Sequence, residues 1–308
     1  MTILIAGYTG LVGSGLYEYF RQKSKEVVGI SSKELNLLDR HKTFDFIRDL
    51  SPSIVIDCAA IVGGIGANSS LPVDFLSKNL QMQCNLMDAS HHSNVEKFVF
   101  LGSSCIYPRE CPQPIKEEYL LTGLLEPTNA AYAIAKIAGI ELIRSYRKQH
   151  GRKWISIMPT NMYGPRDNFN IELGHVLPVL IHKFFLAKQE GLGEVILWGS
   201  GRPLREFLHT ADLASAIEIA IEKYDDELHL NVGPGVEVSI KELASLIAKI
   251  VGFQGKIIWD ETKPDGTPRK IMDSSRIRKL GWTPAYSLED GIRMTTQWFS
   301  ENKERIRQ

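Results

Sequence analysis

The sequence predicts an α/β protein: a doubly wound parallel sheet joined to a second, smaller mixed α/β domain. Three observations predict it. Short β-branched runs alternate with helical patterns through the N-terminal half, the glycine-rich turn GYTGLVG closes the first strand, and from about Asn168 the alternation becomes irregular. At 308 residues, with 44% hydrophobic and 23% charged side chains, the chain can bury one large core or two fused ones.

In order, ILIAG reads as a strand, LVGSGLYEYFRQKS as a helix, VVGIS as a strand, FDFIRDL as a helix and SIVIDCAA as a strand. A long segment then leads to the strand KFVFLGSS, and AAYAIAKIAGIELIRSYRKQHG is a long helix ending at Gly151. WISIMPTNMYGP is the next strand with its loop, so the sheet has at least five or six strands. Beyond it come the helix HVLPVLIHKFFLAKQEG, the strand EVILWG, SIKELASLIAKIVG, KIIWD and SLEDGIRMTTQWFSENKE. The predicted first domain is 1–167, with 207–231 returning to it; 168–206 and 232–308 form the second. The chain has no internal repeat, low-complexity tract or long linker, so the two parts should pack with a cleft between them.

Thirty-six basic residues balance thirty-six acidic ones, so no overall field draws the protein to nucleic acid or an anionic membrane. An anionic ligand must be met by local groups. The first strand-like run begins at Thr2, which leaves no room for a secretory signal, and a cytoplasmic location is expected. The longest apolar stretch, IVIDCAAIVGGIGA, is interrupted by Asp57 and falls short of the ~18 apolar residues of a membrane helix. Four cysteines, Cys58, Cys84, Cys105 and Cys111, show neither a CxxC pair nor zinc-site spacing, so no metal and no disulfide framework is expected. Cys58 and Cys84 read as small buried hydrophobes.

Gly7, Gly10 and Gly13 stand three apart, after a strand and at the mouth of a helix. That pattern serves a tight turn, close approach of backbone to a pyrophosphate and close helix–strand packing. The strand EVVGISSKELN ends in Ser31, Ser32 and Lys33 where NAD sites usually place an acid, which favours the 2'-phosphate of NADP. In the alternative, Lys33 is merely solvated and Glu34 supplies the acid. Tyr132 and Lys136 of YAIAK lie four apart, on one helix face. An ammonium near a phenol lowers its pKa and makes it a usable acid or base, and the same lysine can hold a cofactor ribose.

With its glycine loop, the strand-end serine of GSSCIYP and YxxxK in that order, the chain resembles the extended short-chain dehydrogenase/reductase family. More closely, it is similar to the branch that epimerises and reduces GDP-4-keto-6-deoxy-D-mannose. The closer likeness lies in ELNLLD (34–39), VGGIGANSSLPVDF (62–75), FLGSSCIYP (100–108), EPTNAAYAIAKIAGI (126–140), MPTNMYGPRDNF (158–169), WGSGRPLREFLH (198–209) and KPDGTPRK (263–270). The resemblance implies a Rossmann domain holding NADP(H), a nucleotide-sugar domain taking a GDP-sugar, and a homodimer. By resemblance, Ser103 and Tyr132 hydrogen-bond the C4 carbonyl, Tyr132 delivers a proton, and Cys105 and His175 exchange protons at C3 and C5. Lys136 completes the implied catalytic set.

Cofactor contacts are implied at Gly7, Thr9, Gly10, Leu11, Val12, Gly13, Ser32, Lys33, Asn36 and Leu37. They continue at Leu101, Gly102, Ser103, Ser104, Lys136, Pro159, Thr160, Asn161, Met162 and His175. Substrate contacts are implied at Lys183, Trp198, Arg205, Asp265 and Lys270. The chain departs from the family at Thr9 and Ser32, where a basic residue is common, and at His182, where a second basic residue is frequent beside Lys183. His91 and His92 read as structural or solvent-facing. Three other readings stand: a C4 reductase of another GDP-4-keto sugar such as a 6-deoxy-heptose, an epimerase that regenerates a tightly held NAD, and a non-catalytic nucleotide-binding protein. Ser103, Tyr132 and Lys136 argue against the last.

Overall fold

Strands buried on both faces need helices on both sides, and the N-terminal half supplies them alternately. The computed structural model describes residues 1–263 and 265–303. Pro264 of the KPDGTPRK motif and residues 304–308, which include the end of the last predicted helix, lie outside the described residues. The first half runs β1 (Thr2–Ala6), α1 (Leu11–Gln22), β2 (Glu26–Ile30), α2 (Arg40–Leu50), β3 (Ile54–Asp57), α3 (Ile65–Ser70), α4 (Asn79–His92), β4 (Lys97–Leu101), α5 (Ala130–His150) and β5 (Ile155–Pro159). Then follow β6 (Asn161–Tyr163), α6 (Val176–Gln189), β7 (Glu194–Trp198), β8 (Leu204–His209), α7 (Thr210–Lys223) and β9 (Leu230–Val232). The chain closes with β10 (Glu237–Ser239), α8 (Ile240–Val251), β11 (Lys256–Asp260), β12 (Arg269–Lys270), α9 (Ser275–Lys279) and α10 (Leu288–Glu301).

Six parallel strands in the order β2-β1-β3-β4-β5-β9 form the main sheet, as the sequence predicts. Alternate strand residues face opposite sides. Leu4, Val55, Phe98 and Phe100 pack with Met87 of α4 and Ile140 of α5. Ile3, Ile56, Val99 and Ile157 pack on the other side with Leu16 and Phe20 of α1 and Leu213 and Ile217 of α7. A third core joins Leu180 and Phe184 of α6, Leu243 and Ile247 of α8, and Ile292 and Phe299 of α10. β8 spans both regions, with Leu208 in the second core and Phe207 in the third.

Two details differ from the expectation. The loop predicted in TNMYGP contains β6, which pairs in parallel with β8 (Asn161 opposite Phe207), so the Phe207–His209 end of β8 gains a partner beyond the Leu204–Glu206 stretch that β10 and β12 flank. Cys58 and Cys84 are half-buried rather than buried; Cys58 packs at the edge of the second core. Among the described residues no helix is long and apolar enough to cross a membrane.

Asp167 of the YGPRDNF segment is buried, with Oδ1 accepting the Asn168 N–H (2.7 Å) and, among the described residues, no partner for Oδ2. Burial pushes its pKa from 3.8 up to about 8. A carboxyl raised in the folded state binds its proton more tightly there, so it favours folding below its unfolded pKa and loses that contribution as pH rises through the folded one. Melting temperatures across pH 4 to 9 should therefore fall towards pH 8 more steeply in the wild type than in Asp167→Asn.

Candidate active site

Because all six strands run the same way, the loops after β1, β2, β3, β4 and β5 meet at one edge of the sheet. The chain leaves β1 first for β2 and then for β3 on its other side, which opens a crevice between the β1 and β3 ends. Gly7 lines it in a left-handed conformation (φ +80°), and a side chain there would come within 2.9 Å of Ala59 and Cys58 backbone. A side chain on Gly13 would lie 2.2 Å from the Gly7 carbonyl oxygen, so glycine is what lets α1 start against the turn. Gly10 caps α1 with no side chain, so the N–H groups of Leu11, Val12 and Gly13 are free of a side-chain cap at the helix's positive end. Thr9 lies within the turn. These features fit a dinucleotide pyrophosphate.

At the end of β2 the Glu34 carboxylate turns back to accept from both the backbone N–H (2.8 Å) and the hydroxyl of Ser31, which lowers its pKa. Ser32, Lys33 and Asn36 are exposed beside it. The acid of the alternative NAD reading is thus engaged in the turn, while a cation is presented to solvent. Leu37 and Leu101 are core residues, so only their backbones can face a ligand, and the Leu101 carbonyl already accepts from Lys136 Nζ (2.8 Å). Thr160 donates its N–H to Val232 (3.0 Å) and Asn161 its amide to Glu206 (2.9 Å), fixing the Pro159–Met162 stretch between the sheets.

After β4, Gly102 donates to Ile157 (2.9 Å), and the chain then turns through a single 3₁₀ turn, Ser104–Ile106, capped by Ser103 Oγ, which accepts the Cys105 N–H (3.4 Å). α5 packs on this turn and brings Tyr132 and Lys136 to it. The prediction that Lys136 lowers the Tyr132 pKa is overturned. Lys136 Nζ lies 5.9 Å from the phenol ring centre, over the Phe100 ring (4.8 Å), and is committed to Leu101. Burial, first, and then the acidic groups of Cys105 and Asp57 beside it, whose ionised forms oppose a phenolate, push the phenol up instead. Tyr132 therefore stays protonated at neutral pH.

The Cys105 thiol is pushed up by burial and drawn down by the Lys270 ammonium. The two line one small cavity with Asn129, whose Oδ1 has no partner among the described residues. Lys270 stands opposite Arg205 in the β12–β8 register, so two cations share a sheet face; burial lowers the pKa of each. His175 is the N-cap residue of α6 and makes no side-chain cap bond; its surface is exposed, but desolvation by the protein packed around the ring lowers its pKa from the ordinary value. Its loop meets the one after β3, where Gly64 N–H donates to Leu173 (3.2 Å). That loop continues to Phe75, whose ring meets Tyr132 edge-on at 6.2 Å.

Lys183 is half-buried on α6, its pKa lowered by burial, while Trp198 is 71% exposed at the end of β7 with Lys263 over its ring (5.7 Å). Asp265 is occupied locally, accepting from the Ser200 N–H (2.9 Å) and hydroxyl (2.6 Å). His182 turns the other way, to the Phe169 carbonyl (2.7 Å), beside a larger apolar hollow between α6 and α10 that carries none of the predicted catalytic residues. His91 is structural, ringed by Tyr146, His150 and Trp154.

One residue escaped the sequence reading. Asp57 ends β3 opposite Phe100 of β4, is 1% exposed and has its pKa raised to about 6 by burial, offset by Lys136. Since register partners face the same way, its carboxylate and the Lys136 ammonium lie on one side of the sheet. An acid closing an otherwise apolar strand was the available signal.

A glycine cradle at a helix start, with a tyrosine–lysine pair packed against a turn that carries a thiol, defines a nucleotide-dependent enzyme of carbonyl chemistry. Residues 3–233 match the model of the NAD dependent epimerase/dehydratase family, and the chain belongs to that family. It is 50% identical over 301 residues to GDP-L-fucose synthase 1 of Arabidopsis thaliana, covering 97% of this chain and 93% of the relative. Among solved structures it is similar to a GDP-L-fucose synthetase from Naegleria fowleri bound to NADP (TM-score 0.93, 33% identity, 100% of this chain and 95% of that one). A GDP-6-OMe-4-keto-L-xylo-heptose reductase from C. jejuni is also similar (TM-score 0.91, 32% identity, 97% of each chain).

Proposed function

We propose that the protein converts GDP-4-keto-6-deoxy-D-mannose to GDP-L-fucose with NADPH, inverting C3 and C5 and reducing C4 in one site. The observation that carries this reading is the Ser103–Cys105 turn packed against α5, which sets a proton-exchanging thiol beside a protonated phenol. Hydrogens at C3 and C5 are acidic because both carbons adjoin the C4 ketone. Inversion needs one group to take a proton and another to return it from the opposite face. Cys105 and His175, a neutral thiol and a neutral imidazole at neutral pH, hold one proton and one vacancy between them. Ser103 and Tyr132 donate to the C4 oxygen, and Tyr132 gives up its proton as that oxygen becomes an alkoxide. The dinucleotide bound at the glycine turn supplies the hydride.

Arg205, Lys270 and Lys183 supply the positive charge that a GDP-sugar pyrophosphate requires, and Trp198 offers an aromatic face. Asp265 serves by holding the Gly199–Gly201 loop through Ser200. NADP is the cofactor we assign, from exposed Lys33 and Ser32 beside an engaged Glu34, together with the NADP-bound relative. Lys33→Glu should raise the KM for NADPH about tenfold, the size of one lost charge-assisted phosphate contact, and leave that for NADH nearly unchanged. The remaining cofactor contacts and the domain division, 1–167 with 207–231 against 168–206 with 232–308, follow the family resemblance; the separate third core of α6, α8 and α10 supports the division, while Met272, Ile277 and Trp282 pack into the cores of the main sheet. A cytoplasmic homodimer completes the assignment.

The likeness to the heptose reductase favours a second reading, C4 reduction of another GDP-4-keto sugar with little epimerisation. The two are separated by supplying GDP-4-keto-6-deoxy-D-mannose or a GDP-4-keto-6-deoxy-heptose with NADPH, following the nicotinamide absorbance and solving each product's configuration by NMR. Rapid turnover of the first to the L-fuco product is expected; a C4-reduced product unchanged at C3 and C5 assigns the reductase.

A further inference from the structure

Two segments far apart in the chain reach the catalytic cavity, and one buried polar node pins both. Tyr107, two residues beyond Cys105, is 3% exposed; its hydroxyl lies 2.5 Å from Asn231 Oδ1 and 2.8 Å from His229 Nε2. Asn231 is oriented by its own amide, since Nδ2 donates to the Ile115 carbonyl (3.0 Å) and leaves Oδ1 as acceptor. A phenol has one proton. Having given it to Asn231, Tyr107 accepts from His229, which is therefore the Nε2–H tautomer; burial lowers its pKa to about 3 and keeps it neutral. Ile115 carries the connection onward: its N–H donates to the Ile271 carbonyl (2.8 Å), and its carbonyl accepts the Asp273 N–H (2.8 Å). Ile271 follows Lys270, and Lys270 and Cys105 line the same cavity.

We infer that Tyr107 and Asn231 are positioning residues for the proton-exchange half of the reaction, fixing the Cys105 turn relative to the Lys270 strand. This rests on the function proposed above. In the hydride half, Ser103 shares this turn but is anchored on its strand side by Gly102 to Ile157, while Tyr132 and Lys136 are carried by α5, with Lys136 bound to Leu101. Proton transfer from carbon is sensitive to small displacements of the accepting atom, whereas the α5 residues do not hang on this node.

The test is Tyr107→Phe, which keeps the ring and removes both hydrogen bonds. Two assays read the halves separately: deuterium entry at C3 and C5 of GDP-4-keto-6-deoxy-D-mannose with NADP⁺ and no reductant, and oxidation of GDP-L-fucose at C4 by NADP⁺. Exchange should fall ~100-fold while oxidation stays within about threefold of wild type. Equal losses in both assays, as from a merely structural role, or no loss of exchange, overturn the inference. His229→Leu spares the Tyr107–Asn231 bond and should give a smaller but still selective loss, which keeps the inference testable if Tyr107→Phe folds poorly. A wild type that takes up no deuterium overturns the proposed function itself, and this inference with it.

Discussion

Tyr132→Phe will lower the kcat for NADPH oxidation by ~10³-fold, within the range of a positioned general acid. The argument is one of proton supply. Reduction at C4 creates an alkoxide, and Tyr132 is the half-buried phenol whose pKa desolvation holds above its ordinary value, so that it stays protonated beside the Ser103 turn. Phenylalanine retains the ring and its edge contact with Phe75, and Lys136 holds Leu101 without help from the tyrosine oxygen. The Kd for NADPH, read by nicotinamide fluorescence, should therefore stay close to wild type. A matching loss of cofactor binding would make Tyr132 a structural residue instead.

Cys105→Ala will have an effect of similar size on the other half-reaction. Removing the thiol leaves His175 without its counterpart, so deuterium entry at C3 and C5 should drop by ~10³-fold. Oxidation of GDP-L-fucose by NADP⁺ should persist, because Ser103, Tyr132 and Lys136 are intact and the backbone bond from residue 105 to Ser103 remains. Mass spectrometry of the recovered 4-keto sugar measures the first quantity, and nicotinamide absorbance the second. Exchange at the wild-type rate in Cys105→Ala would remove Cys105 from the mechanism.

The parts of the fold that are legible in the sequence are those set by local pattern. Continuous β-branched runs, crossover helices and GYTGLVG suffice for the parallel sheet, because each strand states its own two-sided burial. β6 is not legible: three residues in a loop become a strand only because β8 lies alongside. The candidate site divides in the same way. GSSCIYP and YAIAK are contiguous motifs, so a short window of sequence is enough to name their residues. The pKa of Tyr132 is not legible in this way, since helical spacing brings Lys136 near while burial and the Leu101 carbonyl decide the sign. Asp57 and the Tyr107–Asn231 bond depend on strand register and on a contact spanning 124 positions, which no local window contains.

The central claim, that one site both inverts C3 and C5 and reduces C4, is tested most directly in deuterated water. The protein is incubated with GDP-4-keto-6-deoxy-D-mannose and NADPH, and the product is analysed by mass and NMR. The account predicts NADPH consumption and a GDP-L-fucose product carrying solvent deuterium at both C3 and C5. NADPH consumption with neither position labelled would contradict it and leave a C4 reductase.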